Sequence, residues 1–148
     1  MSYANARGAL KQYGQASVQA DASTAGPHRV IEMLLEGALE KVATAKGHMK
    51  RGEVAEKGRH VGWAISIIGG LRMSLDKETG GEIATNLDDL YDYMSRRLLE
   101  ANSVNDPALL DEVTNLLREI KGAWSAIPES AKLAHAAVKT KQGAQADR

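Results

Sequence analysis

The segment from residue 86 to residue 102, NLDDLYDYMSRRLLEAN, constrains the fold of this chain more than any other. Its apolar residues recur at steps of three and four, which places them on one face of an α-helix. That face consists of Leu87, Leu90, Tyr91, Met94, Leu98 and Ala101. The segment therefore predicts an amphipathic helix with a buried stripe, and the polar groups around the stripe are more varied than packing alone requires.

A first long helix is predicted to begin at Pro27, because proline tolerates the first helical position and glycine is acceptable at the cap before it. Its apolar residues repeat at steps of four and three, as in helices that pack nearly antiparallel. These residues are Ile31, Leu35, Ala38, Val42, Ala45 and Met49. Gly52 is expected to end the helix as a left-handed cap.

The next predicted helix, from about residue 54 to residue 75, is apolar over more of its surface than a bundle helix needs. One seam contains Val54, Gly58, Val61, Ile65, Ile68 and Leu75. A second stripe, on a neighbouring face, contains Trp63, Ile67, Gly70 and Leu71. This surplus would leave apolar surface exposed unless the N-terminal segment or another protein covers it.

A fourth helix is predicted to start at Pro107, capped by Asp106. Its seam is Leu109, Val113, Leu116, Ile120, Ala123 and Ile127. The helix of the opening segment should begin near Glu82, after the break at Gly80 and Gly81.

Four such helices with short connections predict an all-α, antiparallel four-helix bundle over residues 27–128. Residues 1–26 are expected to form a partly ordered N-terminal arm, with at most a short helix near residues 3 to 12, since they contain few apolar anchors. Residues 129–148 are expected to be a flexible tail.

Composition excludes several classes of function. The chain has 148 residues, the typical length of a single domain. It has no cysteine, so disulfides and thiolate metal sites are excluded. Nineteen basic residues balance nineteen acidic ones, so no net field attracts nucleic acid or anionic lipid. No apolar run approaches the roughly 20 residues that span a bilayer, and the start of the chain lacks a secretory signal. These features predict a cytoplasmic protein without membrane insertion.

The sequence also lacks the usual catalytic and metal-binding patterns. The histidines His28, His48, His60 and His135 are widely spaced and never form an i, i+4 pair. No serine or threonine lies in a nucleophile elbow, and the glycine pairs lack the lysine and hydroxyl residue of a phosphate loop. We therefore expect no enzyme activity, no metal site and no cofactor.

Three stretches carry a resemblance to a known family. They are KQYGQ from Lys11, PHRVIEMLLEGALEKVATA from Pro27, and GGEIATNLDDLYDYMSRRLLEAN from Gly80. Together, and in the same order and spacing from about Tyr3 to Ile127, they resemble the flagellar secretion chaperone family FliS. The family usually has a serine where this chain has Gly26, which should weaken the helix start only by a few tenths of a kcal/mol.

The resemblance implies a cytoplasmic export chaperone that binds the disordered C-terminal region of flagellin. The client would fold into helices as it docks, its premature polymerisation would be prevented, and it would be helped to the export gate protein FlhA. Long apolar grooves would be needed, because ordering a disordered client costs several kcal/mol, on the order of 2–5.

Residues for partner binding follow partly from the resemblance and partly from the helical faces. Tyr13 matches the family's N-terminal tyrosine, which is associated with client binding and gate docking, and Leu10 lies one helical turn before it. For Tyr13, an anchor that only packs the arm on the bundle is an equal alternative. The partner-binding residues we predict are Leu10, Tyr13, Trp63, Ile67, Ile68, Leu71, Tyr91, Met94, Arg97 and Asn102.

Some of these residues also have a purely structural explanation. The spacing of Tyr91 and Met94 favours the core, and Arg97 over Tyr93 is also explained as a surface contact between a cation and a ring. For the whole chain, a rival interpretation is a self-associating structural bundle, so the free protein is expected to be a monomer or weak dimer. A helical nucleic-acid binder is disfavoured by the zero net charge.

Overall fold

The computed structural model describes residues 26–126 and folds them into four α-helices with short connections. The helices are α1 (Pro27–Lys50), α2 (Val54–Met73), α3 (Lys77–Val104) and α4 (Pro107–Ala126). No strand occurs between residues 26 and 126, which agrees with the all-α class predicted from the sequence. The expectations for the N-terminal arm, including Leu10 and Tyr13, and for the C-terminal tail lie outside the described residues.

The four helices form a closed ring of neighbours. α1 packs against α2 and α4, and α3 packs against the same two helices. Contacts between opposite ends confirm the antiparallel directions: Lys57 at the start of α2 reaches Asn102 near the end of α3, and Trp124 at the end of α4 reaches His28 at the start of α1. The predicted antiparallel four-helix bundle is thus confirmed over this part of the chain.

The core contains the stripe predicted for α3. Tyr91, Met94, Leu98 and Ala101 are completely buried, while Leu87 and Leu90 pack at its edge. In α1 the buried face is wider than the predicted seam, because Val30, Met33 and Leu34 are buried as well. Residues from all four helices therefore share one hydrophobic cluster.

In α4 Val113 is buried as predicted, but on either side of it the buried face is displaced by one residue from the prediction. Leu110 and Leu117 are fully buried, whereas their predicted neighbours Leu109 and Leu116 lie at the margin of the core. Ala123 is exposed and Trp124 is buried in its place. Adjacent leucines allow two registers that differ by about 100° around the helix, and packing against α1 and α3 selects the second.

The faces of α2 also differ from the predicted ones. Val54, assigned to the seam, is 67% exposed. Ile67 and Leu71, assigned to the surplus stripe, are only 1% and 0% exposed and belong to the common hydrophobic cluster. The buried face of α2 therefore includes residues from both predicted stripes.

The helix ends follow the capping residues. Gly52 adopts a positive φ of 74° after α1, as expected of a left-handed cap. The side chain of Asp106 accepts a hydrogen bond from the amide of Ala108, and Pro107 begins α4. The start of α3 is earlier than predicted: Asp76 caps it by accepting from the Thr79 amide, and Gly81 then breaks the helix at φ 57° and ψ −132°. Regular helix resumes at Glu82, the predicted start.

Within the described residues, none of the helices combines the length and the apolar character that a membrane span requires.

Candidate functional site

Five of the predicted partner-binding residues lie in the core. They are Ile67, Ile68, Leu71, Tyr91 and Met94, and none is more than 1% exposed. Their side chains hold the helices together, so in this conformation they offer no surface to a partner. Leu10 and Tyr13 lie outside the described residues.

In the second apolar stripe predicted for α2, Trp63 is the residue that keeps exposed surface. Its ring packs against the core on α2 and is half-buried. The Nζ atom of Lys41, on α1, lies 3.7 Å from the centroid of the indole, and the guanidinium of Arg59 lies 5.8 Å from it. Two cations near one indole form a cation–π arrangement. The result is an amphipathic patch between α1 and α2.

Arg97 lies in a polar cluster that joins α3 to α4. Its Nε donates to Glu112 at 2.8 Å, and its Nη1 donates to Glu100 at the same distance. The hydroxyl of Tyr93 donates to the other oxygen of Glu112, and the Arg97 guanidinium lies 5.7 Å from the Tyr93 ring centroid. Hydrogen bonds from Tyr93 and then from Arg97 lower the pKa of the Glu112 carboxyl. Arg97 is thus engaged within the bundle, including the ring contact that was one of its predicted alternatives.

Asn102 sits where α3 crosses the start of α2. Its backbone carbonyl accepts a hydrogen bond from Lys57 at 2.9 Å. Its side-chain oxygen Oδ1 is buried and accepts no hydrogen bond from any residue between 26 and 126. A Cβ atom placed on Gly58 would lie 4.0 Å from this oxygen, so the absence of a side chain at Gly58 leaves room beside it.

A second polar cluster, which the sequence reasoning missed, joins the end of α2 to the start of α3. Arg72 bonds to Asp88 and also to Asp92 at 3.1 Å, and Lys77 bonds to Asp88 at 2.8 Å. Hydrogen bonds from Lys77 and then from Arg72 lower the pKa of Asp88. No motif marks these residues in the sequence, and only the antiparallel pairing of α2 with α3 brings them together.

The histidines are less scattered than their sequence positions suggest. His48 near the end of α1 and His60 in α2 have ring centroids 5.1 Å apart, because the two helices are joined by a short connection. Glu56 lies four residues before His60 on α2, which is about one helical turn. The i, i+4 position is therefore occupied by a carboxylate and not by a second histidine. The sequence spacing of His48 and His60 therefore does not predict their proximity in the fold.

This chain matches a known protein family over most of its length. The model of the family described as "Flagellar protein FliS" matches residues 9–131. The flagellar secretion chaperone FliSB of Pseudomonas aeruginosa is 56% identical over 119 residues, which cover 80% of this chain and 94% of that protein.

Two further relatives carry the same description. The flagellar secretion chaperone FliS of Salmonella typhimurium is 47% identical over 123 residues, covering 82% of this chain and 91% of its own length. That of Vibrio cholerae is 45% identical over 122 residues, covering 82% and 90%. These relatives are named as chaperones rather than as enzymes. The chain therefore belongs to the FliS family of flagellar proteins.

Proposed function

We propose that this chain is a cytoplasmic export chaperone that binds the disordered C-terminal region of flagellin. Binding prevents premature polymerisation of flagellin and assists its delivery to the export gate protein FlhA. The observation that carries the proposal is the family match over residues 9–131, together with relatives named as flagellar secretion chaperones at up to 56% identity.

The dimensions of the bundle suit such a client. α1, α2, α3 and α4 contain 24, 20, 28 and 20 residues. At 1.5 Å per residue the continuous helices, with α3 counted from Glu82 after its break at Gly81, are about 30 to 36 Å long, so the grooves between them are long as well. An amphipathic client helix can lie in such a groove with its apolar face down. A long contact is needed because ordering a disordered segment consumes several kcal/mol, on the order of 2–5.

The side chains suggest how contact is divided. In this proposal Trp63 supplies apolar surface, and Arg97 and Asn102 contribute polar contacts at the rim of the groove. The other predicted residues pack in the core beneath this surface and support it. They are Ile67, Ile68, Leu71, Tyr91 and Met94. Leu10 and Tyr13 contribute to client binding and to docking at the gate.

Titration calorimetry tests the central step. The full chain is titrated with a peptide of the flagellin C-terminal region, and one-to-one binding is expected. Trp63→Ala should weaken binding at least about tenfold, since buried tryptophans dominate the energetics of interfaces. Glu119→Ala, on the exposed face of α4, is the matched control and should bind as the wild type does. No heat change with the wild-type chain would overturn the proposal.

Delivery to the gate requires a separate test. The complex with the flagellin peptide should bind FlhA, and Tyr13→Ala should weaken that step. If Tyr13→Ala and wild type bind FlhA equally, the role given to Tyr13 is wrong.

Self-association is the second candidate, and exposed apolar side chains favour it. Between residues 26 and 126 the large exposed ones are Val54, Met73, Ile83, Leu99 and Val104, each at least 48% exposed. Sedimentation velocity at micromolar concentration distinguishes the two functions. The chaperone proposal expects a monomer, whereas a stable dimer without flagellin would favour the structural alternative.

A further inference from the structure

The end of α1 and the start of α2 bring two imidazoles and a carboxylate together. One nitrogen of His48, one nitrogen of His60 and one carboxylate oxygen of Glu56 all lie within 4.8 Å of one another. Glu56 and His60 are four residues apart on α2, which places them on the same face. His48 approaches from α1 across the connection formed by Arg51, Gly52 and Glu53.

Both rings are held through their Nδ1 atoms. Nδ1 of His60 lies 2.9 Å from the backbone carbonyl oxygen of Glu56, and Nδ1 of His48 lies 2.6 Å from the carboxylate of Glu53. Both partners accept hydrogen bonds, so Nδ1 is the donor in each case, and in the neutral form of each ring the lone pair lies on Nε2. Histidines that ligate metals are commonly oriented in this way, with the non-ligating nitrogen donating to a carbonyl or carboxylate.

The cluster is partly sheltered from solvent. His60 is only 8% exposed, whereas His48 and Glu56 are half-buried. The indole of Trp63 lies 5.8 Å from the His60 ring and covers part of it. A partly desolvated site lined by nitrogen and oxygen ligands suits a borderline divalent cation.

Neighbouring cations compete for the same acceptors. Arg59 donates to Glu56 at 2.7 Å and Arg51 donates to Glu53 at 3.0 Å. Arg51 Nη2 also lies 3.3 Å from His48 Nδ1, but a protonated Nδ1 leaves it no lone pair to accept. The Arg59 side chain is 58% exposed, so it can turn into solvent and release Glu56.

We propose that His48, Glu56 and His60 form a binding site for one divalent transition-metal ion, with Zn²⁺ as its representative. The two imidazoles and the carboxylate supply three ligands, and water completes a tetrahedral set. Ligands held about 2.0–2.1 Å from zinc lie roughly 3.3 Å from one another, so side-chain rotations must close the present arrangement by no more than about 1.5 Å.

Metal bound at this position connects α1 to α2. Because the three ligands come from both sides of the first connection, the ion would resist separation of the two helices. An ion that binds the folded chain and not the unfolded chain raises the free energy of unfolding by mass action. The proposal concerns stability and does not depend on flagellin binding.

The test is a calorimetric titration of the full chain, purified without a histidine tag, with ZnCl₂. Wild type is expected to bind one equivalent, and its melting temperature should rise with Zn²⁺ concentration. His48→Asn and His60→Asn keep an amide donor near the Nδ1 position and remove Nε2. Each should weaken binding at least about tenfold, since even losing an outer partner of a ligand costs 10- to 100-fold. His28→Asn, at the opposite end of α1, is the matched control and should leave affinity unchanged.

Arg59→Gln is a second, independent variant on an exposed position. Removing the competing guanidinium should tighten Zn²⁺ binding several-fold, about 3- to 10-fold, because the metal no longer has to displace the two charge-assisted hydrogen bonds from Arg59 to Glu56. Two outcomes overturn the proposal: no heat and no thermal shift for wild type at millimolar Zn²⁺, or equal affinity in His48→Asn, His60→Asn and wild type. If a histidine variant does not fold, unchanged affinity in Arg59→Gln overturns it instead.

Discussion

The Nζ atom of Lys57 on α2 donates a hydrogen bond to the backbone carbonyl oxygen of Asn102 on α3 at 2.9 Å, and a second to the side-chain oxygen of Asn105. The last carbonyls of a helix have no partner within the helix and carry partial negative charge. A lysine from the neighbouring helix supplies both the donor and the complementary charge. Lys57 is only 5% exposed, yet its ammonium group is satisfied.

Replacing Lys57 with methionine should destabilise the bundle by about 1.5–3 kcal/mol, the usual contribution of hydrogen bonds to a charged group. Methionine retains most of the aliphatic volume, so the loss reports the ammonium group rather than a cavity. Urea unfolding followed by circular dichroism measures the difference. Lys50→Met, at an exposed position near the end of α1, is the control and should change the free energy of unfolding by less than about 0.5 kcal/mol.

Two glycine substitutions should have opposite signs. Gly81 combines φ 57° with ψ −132°, a conformation disfavoured for residues with a Cβ atom, and no atom lies within 4 Å of where that Cβ would be. Gly81→Ala should therefore destabilise by about 1–3 kcal/mol through the backbone alone. Gly62 lies exposed within α2, also with no atom within 4 Å of its added Cβ, and Gly62→Ala should stabilise by about 0.5–1 kcal/mol. Thermal unfolding of both variants checks the pair, and the same sign for both would contradict this account.

The Glu112 cluster should make stability depend on pH. Hydrogen bonds from Tyr93 and Arg97 place the pKa of Glu112 in the folded state below its ordinary value. A lowered folded pKa stabilises the protein above the unfolded value, and that stabilisation disappears as pH falls through the folded pKa. Glu112→Gln should therefore be less stable than wild type near neutral pH, and the difference should shrink below about pH 4.3, the ordinary Glu value.

Urea unfolding of both proteins over a pH series gives the measurement. Glu119→Gln, on the exposed surface of the same helix, controls for the loss of one negative charge. A difference between wild type and Glu112→Gln that is independent of pH would rule out the proposed titration.

Removal of residues 1–20 tests whether the N-terminal arm shields an apolar groove. If it does, the truncated chain should bind more of a dye that fluoresces on apolar surface, such as ANS, than the full chain does. Far-UV circular dichroism should show that helix content of the bundle is retained. Equal dye fluorescence in the two proteins would mean that the arm does not cover the groove.

The sequence predicted the fold well where the helical pattern had one solution. In α3 the stripe from Tyr91 to Ala101 is interrupted by charged residues, so a single face can be apolar, and this face is buried. In α2 the run VGWAISIIGGL is apolar around most of the helix, and periodicity could not identify the core face. Ile67 and Leu71 are buried because α1 and α3 pack against α2.

Buried polar groups were the least predictable part of the candidate site. Lys41 and Lys57 are 7% and 5% exposed, although lysine is almost never buried unless paired. Lys41 contacts Trp63 and Lys57 contacts the end of α3. These partners lie on other helices, so no local sequence pattern predicts the burial of the two lysines. His48 and His60 illustrate the same limit, because their proximity depends on the register of two antiparallel helices.

The hydrogen bond from Trp124 Nε1 to the carbonyl oxygen of His28, 3.1 Å long, has a topological consequence. It brings the start of α1 and the end of α4 together, so the polypeptide before α1 and the polypeptide after α4 are attached at the same pole of the bundle. A short linker between these two points would close the four helices into a circle. Opening that circle at Gly52 would then give a circular permutant with the same core, whose new termini emerge at the opposite pole.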